Sequence, residues 1–315
     1  MDLVFCGTPL FAVPTLEKLV CAGFRVKLVA TQPARPSGRG LELAASPVKQ
    51  TALTLGLPIT QPEKIKNNAE FRARLESIAP EAIIVVGYGR MIPQWMIDLP
   101  RLGNLNLHAS LLPKYRGAAP IQWAIARGET ITGVTTMRID AGLDTGDILQ
   151  QSEERIKPED TALTLAPRLA QTGAELMITT LAGLKNGTIT PRRQDDSQAT
   201  LAPILKREDG LLDFSRTAVE AWNRLRGFQP WPGAFTLFRS KTLHLHSAMP
   251  LSAHTNIAPA HFALENERLL LGFAHGTVLE VQELQLEGKK RMSARDFING
   301  YRPKSDEVAG NSNSN

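Results

Sequence analysis

The chain has 315 residues, 43% of them hydrophobic and 21% charged, which is the composition of a soluble globular protein long enough for two domains. No apolar run approaches the roughly 20 residues that cross a bilayer, and the opening MDLVFCGTPLF carries no basic stretch ahead of its apolar one, so neither a span nor a secretory leader is expected. Cys6 and Cys21 make no disulfide framework, and a net charge of +5 spread over both halves permits a polyanionic partner without requiring one; a reducing cytoplasm is the expected compartment.

The first half alternates strand and helix signals. DLVFCG (residues 2–7) is a short apolar run, residues 14–21 have helical spacing, and RVKLVAT (25–31) reads as a second strand. EAIIVVGYG (81–89) is the kind of continuous β-branched run that is buried on both faces of a parallel sheet. LGNLNLH (102–108), a helix over 119–126 and the strand ITGVTTMRID (131–140) follow. This alternation predicts an α/β, Rossmann-like domain with a mostly parallel, doubly wound sheet.

Two segments interrupt the pattern. TQPARPSGRGLELAASP (31–47) is too long and too rich in Pro and Gly for an ordinary connection, so it is expected to be functional or mobile. After a long helix over 161–184, NGTITPRRQDDSQATLAPILKREDG (186–210) is polar and reads as a linker. Beyond it come an amphipathic helix over 215–228 and short alternating runs with turn signals, the pattern of a small β-barrel or sandwich. The expected division is 1–189 for the α/β domain, 190–208 for the linker, 209–306 for the β domain and 307–315 for a disordered tail.

Gly7 follows the first strand, but the spaced G-x-G-x-x-G of a dinucleotide site is absent. More informative is NLNLHASLLPKYRGAAPIQWAI (104–125). Leu105 and Leu107 alternate with Asn104, Asn106 and His108, so polar side chains are aimed from the end of a buried strand. In open α/β sheets that end is where ligands bind. An amide beside an imidazole suits a developing oxyanion, and the imidazole can also handle a proton; the bland alternative is that backbone groups satisfy both. No C-x-x-C or H-E-x-x-H pattern accompanies them, and no metal is expected. RIDAGLDTGDIL (138–149) places Asp140, Asp144 and Asp147 in a Gly-containing loop. Such carboxylates are ordinarily turn formers, yet one could pair with His108, and spacing alone leaves both readings open.

With these residues in view, LNLHASLLPKYRGAAPIQWAI together with DAGLDTGDIL resembles the 10-formyltetrahydrofolate-dependent formyltransferases. The resemblance implies a catalytic trio of Asn106, His108 and Asp144. It implies 10-formyltetrahydrofolate as co-substrate, held by Ser110, Leu111, Leu112 and Pro113 on one side. VVGYGRMIP (85–93) would form the other wall, with Val86, Tyr88, Gly89 and Met91 as contacts. FCGTPLFA (5–12), TQPARPSGRG (31–40) and FQPWPGAF (228–235) resemble the members that formylate methionyl-initiator tRNA. For these the family has an OB-like C-terminal β-barrel. Arg35 and Arg39 in the long loop would then meet the acceptor end, and Lys206, Arg207, Lys289, Lys290 and Arg291 would meet phosphates. After Gly40 the chain reads Leu41-Glu42-Leu43-Ala44-Ala45 where relatives often carry lysines and a Met-Pro. The resemblance further implies a monomer, and residues 31–47 are expected to be unordered without tRNA.

Overall fold

The computed structural model of the chain describes residues 1–37, 42–252, 256–304 and 307–310. They divide into two compact units, one made of Met1–Pro120, Ile131–Arg155 and Leu165–Pro203, the other of Ile121–Thr130, Ile156–Thr164 and the remainder of the chain.

In the first unit the apolar runs become strands where buried alternation allows it. β1 (Asp2–Gly7) leads to α1 (Val13–Cys21) and β2 (Arg25–Ala30); β3 (Arg35–Ser37) and β4 (Glu42–Ala44) pair with each other. Then come α2 (Pro47–Thr54), β5 (Ile59–Thr60), α3 (Ala69–Ile78), β6 (Ala82–Val86), α4 (Gln94–Ile97) and β7 (Asn104–His108). β8 (Ile131–Arg138), β9 (Ile148–Arg155) and α6 (Ala162–Asn186) follow; α5 (Pro120–Ala126), ahead of β8, and the first residues of α6 belong to the second unit. Side chains of β1 and β6 point alternately to two faces, and both faces are covered. Val4, Cys6, Ile83 and Val85 pack with Phe71 and Leu75 of α3, while Leu3, Phe5, Ile84 and Val86 are sealed on the opposite side. Helix starts are fixed by side chains that satisfy free amides: Asn68 accepts from Phe71 N at 2.9 Å, and Ser46 accepts from Lys49 N at 3.1 Å.

The sheet runs β5-β2-β1-β6-β7-β8-β9. Its first five strands are parallel, as the alternation predicts, while β7–β8 and β8–β9 are antiparallel. Two expectations need revision here. Within 31–47, expected to lack order, Arg35–Ser37 and Glu42–Ala44 form a two-stranded ribbon. The stretch read as a linker is tied to this unit, because Arg192 bridges Ile148 and Leu201 bridges Arg116.

The second unit begins its own order with α7 (Ala218–Gly227), started by Thr217 and Glu220 capping each other's amides. β10 (Ala234–Phe238), β11 (Lys241–Leu251), β12 (Phe262–Glu265), β13 (Arg268–Gly272), β14 (Val278–Leu286) and β15 (Met292–Ser293) precede α8 (Ala294–Tyr301). The antiparallel order is β10-β11-β14-β13-β12, with β15 on β14. Phe238 lies edge-on to both Phe262 and Phe297 in its core. Residues 307–310, expected in a disordered tail, instead lie between the two outer strands. Glu307 O accepts from Phe262 N, and Gly310 N donates to Leu237 O at 3.0 Å. The reason is chemical: these residues pair edge groups that would otherwise be unmatched, Ala309 is buried, and Arg239 grips Glu307 with both ends of its fork. Residues 311–315 of the expected tail lie outside the described residues. The segments from earlier in the chain are packed against α7: Trp123 meets Phe228 edge-on, and Arg226 donates to Asp160 O at 2.8 Å.

Among the described residues no helix is long and apolar enough to cross a membrane, and no group of His, Cys, Asp and Glu has the arrangement of a metal site.

Candidate active site

β7 carries three polar side chains, and the structure gives each different surroundings. Asn104 is buried, and its Nδ2 donates to Met96 O at 2.7 Å and Ile97 O at 3.1 Å, closing the end of α4. Asn106 is half-buried, and among the described residues nothing hydrogen-bonds its side chain. His108 is 6% exposed, and each of its ring nitrogens faces a protein oxygen. Its Nε2 lies 2.9 Å from Tyr115 O, and its Nδ1 lies 3.6 Å from Asp144 Oδ2. A carbonyl can only accept, so Nε2 bears a hydrogen. Nδ1, with a contact longer than a hydrogen bond, is the nitrogen left for other work.

Asp144 comes from the loop between β8 and β9, which folds back to reach the strand end. Its backbone is left-handed (φ 53°), and Gly117 N donates to its Oδ2 at 2.8 Å. Asp140 does what loop carboxylates ordinarily do: it accepts from Gly142 N and from Thr145 Oγ1. Asn106, His108 and Asp144 are thus gathered at one strand end. Tyr115, Gly117 and Gln194, which hold this constellation, were not singled out by the sequence. The first two act through backbone atoms, which leave no residue-type signature, and Gln194 lies in the polar stretch read as a linker.

The turn after β7 is locked by Thr135, which donates to Ser110 O at 2.6 Å and accepts from Leu112 N at 3.1 Å. Gln151 donates to Leu112 O, and the Leu112–Pro113 bond is cis. Ser110 and Leu112 are buried, with the Ser110 hydroxyl donating to Lys114 O; Leu111 and Pro113 are half-buried. Across from it, Thr8 and Gln32 both donate to Tyr88 O, and Gln32 reaches Gly89 O as well. Gly89 has φ 72°, and a Cβ there would stand 2.5 Å from Gln32 Nε2. Val86 and Tyr88 are buried, whereas Met91 is 89% exposed. Burial pushes the Tyr88 phenol far up, and its hydroxyl has no partner among the described residues; burial likewise pushes Cys6 up to about 12. Neither is an acid or a nucleophile at neutral pH.

Of the residues expected to meet tRNA, Arg39 lies outside the described residues, and Arg35 starts β3. Lys206 and Arg207 are exposed in the second unit, with the Arg207 guanidinium 5.8 Å from the Phe235 ring centre. Lys289 and Lys290 are exposed, and Arg291 is paired with Glu283.

A family model described as formyl transferase matches residues 2–181, and one described as formyl transferase, C-terminal domain, matches residues 204–302. The methionyl-tRNA formyltransferase of Koribacter versatilis is 66% identical over 98% of this chain and 99% of its own length. That of Acidobacterium capsulatum is 64% identical over 95% and 96%. The chain belongs to the methionyl-tRNA formyltransferase family. Solved structures share the family's fold at low identity. An N-formyltransferase from Helicobacter canadensis, in complex with folinic acid and dTDP-3-aminofucose, is 20% identical with a TM-score of 0.66, covering 89% of this chain and 98% of its own. HypX from Aquifex aeolicus, in complex with tetrahydrofolic acid, is 17% identical with a TM-score of 0.61, covering 95% of this chain and 47% of its own. At these identities the likeness is one of fold.

Proposed function

We propose that Asn106, His108 and Asp144 carry the transfer of a formyl group from 10-formyltetrahydrofolate to the α-amine of methionyl-initiator tRNA, in the cytoplasm and as a monomer. The observation that carries this reading is an amide with no partner among the described residues, on the same strand end as a histidine–carboxylate pair. In the reaction the amine nitrogen bonds to the formyl carbon, and the carbonyl electrons move onto oxygen. Asn106 Nδ2 donates to that oxyanion from a fixed strand position. His108, pinned through Nε2 by Tyr115, serves the reacting atoms through Nδ1, taking the proton the amine loses. Asp144 faces that nitrogen and balances the charge. The C–N10 bond then breaks, N10 recovers a proton, and formylmethionyl-tRNA leaves. Contacts of this sort are often loose without substrate and tighten in the complex.

The folate reading is supported by the segments that follow the central strands. Leu10 and Met91, which follow the ends of neighbouring strands β1 and β6, and Leu143 beside Asp144 are all strongly exposed apolar side chains, of the kind a flat aromatic ligand would cover. The buried members of the expected folate walls, Val86, Tyr88, Ser110 and Leu112, would act through main-chain groups and shape. Arg35, Arg39, Lys206, Arg207, Lys289 and Lys290 would supply sequence-independent affinity for tRNA phosphates.

The test is incubation with 10-formyltetrahydrofolate and methionyl-tRNA, scored for formylmethionyl-tRNA and for free formate. Formylated tRNA is expected, with His108→Ala and Asp144→Asn nearly inactive. Formate without formylated tRNA would replace the transferase by a hydrolase.

A further inference from the structure

The loop bearing Asp144 is held from outside by one side chain. Gln194 Nε2 donates to both Asp144 O and Gly146 O, each at 2.8 Å. On its other side Gln194 Oε1 accepts two hydrogen bonds from Arg116, Nε at 3.0 Å and Nη2 at 2.8 Å, and the same Nη2 reaches Asp196 at 2.7 Å. Gln194 and Arg116 are buried, at 5% and 7% exposed. The amide can be oriented only one way: guanidinium nitrogens only donate and carbonyls only accept, so oxygen must face Arg116 and nitrogen the loop. Among side chains of this length, only glutamine offers an acceptor to one neighbour and two donors to the other. Glutamate would set oxygen against two carbonyls, and lysine would set a cation against Arg116.

The same strip of chain holds the other half of the catalytic pair. Thr200 Oγ1 accepts from Tyr115 N at 2.9 Å, and Tyr115 O is the group that fixes His108 Nε2. Arg116 N donates to Thr200 O, and Ala202 N donates to Arg116 O. Residues 192–202 therefore brace both His108 and Asp144 at one remove.

We infer that Gln194 is the positioning residue for Asp144, setting a left-handed loop so that its carboxylate meets His108 and Gly117. This rests on the reading of Asp144 as a catalytic group. Gln194 touches no reacting atom; it acts through the two loop carbonyls. A misplacement of about 1 Å in such a group can cost on the order of 10²-fold in rate.

The test compares Gln194→Glu and Gln194→Ala in the full chain, each alone and in an Asp144→Asn background, by steady-state formylation of methionyl-tRNA with melting temperatures alongside. Glutamate keeps the partner of Arg116 and sets an acceptor where the donors to the loop were. The expected result for either variant alone is a kcat lowered at least ~10-fold, with both KM values little changed. In the Asp144→Asn background the same substitution should cost less than about 2-fold, since the group being positioned is already gone. The inference is overturned if kcat of the single variants stays near wild type. It is equally overturned if the loss is the same in both backgrounds, which is how a general loss of folded protein behaves. If Asp144→Asn itself is fully active, the catalytic reading of Asp144 fails and this inference with it; a dead Asp144→Asn with additive Gln194 effects removes the inference alone.

Discussion

Asn104 and Asn106 stand two residues apart on β7; the first is hydrogen-bonded into the fold and the second is the proposed oxyanion donor, so exchanging each for alanine separates folding from chemistry. Asn106 is half-buried, and among the described residues its side chain has no hydrogen-bond partner. Its removal should change stability by no more than about 0.5 kcal/mol, while the lost oxyanion donor lowers kcat about 10²–10³-fold, or roughly 2.7–4 kcal/mol of transition-state stabilisation. Asn104 makes two buried hydrogen bonds to the carbonyls of Met96 and Ile97. Losing them, at about 1 kcal/mol each with a further penalty for carbonyls left dry, comes to roughly 2–3 kcal/mol. Its own Oδ1 is buried without a partner, which keeps the figure from rising further. For a unit of this size that loss is roughly a 5–10 °C fall in Tm, with kcat near wild type in the folded fraction. Formylation kinetics and a thermal melt on the same preparations read both axes. Asn106→Ala with kcat within roughly 10-fold of wild type would refute the donor role; so would a matching pair of variants, each losing stability and rate together.

Other consequences can be checked directly. Gly117 has φ 121°, and a Cβ there would stand 2.6 Å from Ala202 O, so Gly117→Ala should cost at least roughly 2 kcal/mol and displace the N–H that holds Asp144, lowering Tm and kcat together; an active variant of normal Tm would show the turn to be tolerant. Cys21 is exposed, and burial pushes Cys6 up to about 12, so a thiol reagent at pH 8 should titrate one cysteine in the native protein and the second only in denaturant; two fast thiols would contradict the sealed strand. The Arg239 hydrogen bonds hold the Glu307 carboxyl below its ordinary 4.5. A carboxyl lowered by folding contributes stability that is complete above the unfolded value and is lost as pH falls through the folded one. Melts of wild type and Glu307→Gln should therefore differ at pH 7 and converge in acid, and a difference independent of pH would contradict the ion pair.

How much of this could be read beforehand varies with the kind of atom involved. β1, β2, β6, β7 and β8 announce themselves as apolar runs because they are buried in the sheet. Their direction does not, since the hydrophobic pattern of an antiparallel central strand like β8 matches that of a parallel one. β5, two residues long, has too little side chain to leave a period. At the site, Asn106 and His108 stand out as polar residues at a strand end, whereas Asp144 is singled out from Asp140 and Asp147 only by the family resemblance. The Tyr115 carbonyl and the Gly117 amide could belong to any residue. Gln194 was hidden for a different reason: a polar, Pro-containing stretch looks the same whether it hangs loose or is nailed to a loop by hydrogen bonds. Residues 307–310 were likewise read from polarity, whereas their place follows from the unpaired edges of β10 and β12.

The second compact unit is not a continuous stretch of chain: α7 rests on Trp123 and on the Asp160 carbonyl, the latter 66 positions before its partner Arg226. That path has a kinetic meaning. Contacts of long sequence separation must close large loops before they return any stability, and each doubling of loop length adds only about 0.6 kcal/mol to that cost. The main effect is therefore on rate: this unit should fold slowly, and α7 should acquire its full protection against hydrogen exchange late in refolding. A fragment holding only residues 204–315 would lack Trp123 and Asp160 altogether, so its α7 should exchange fast even where its sheet is intact.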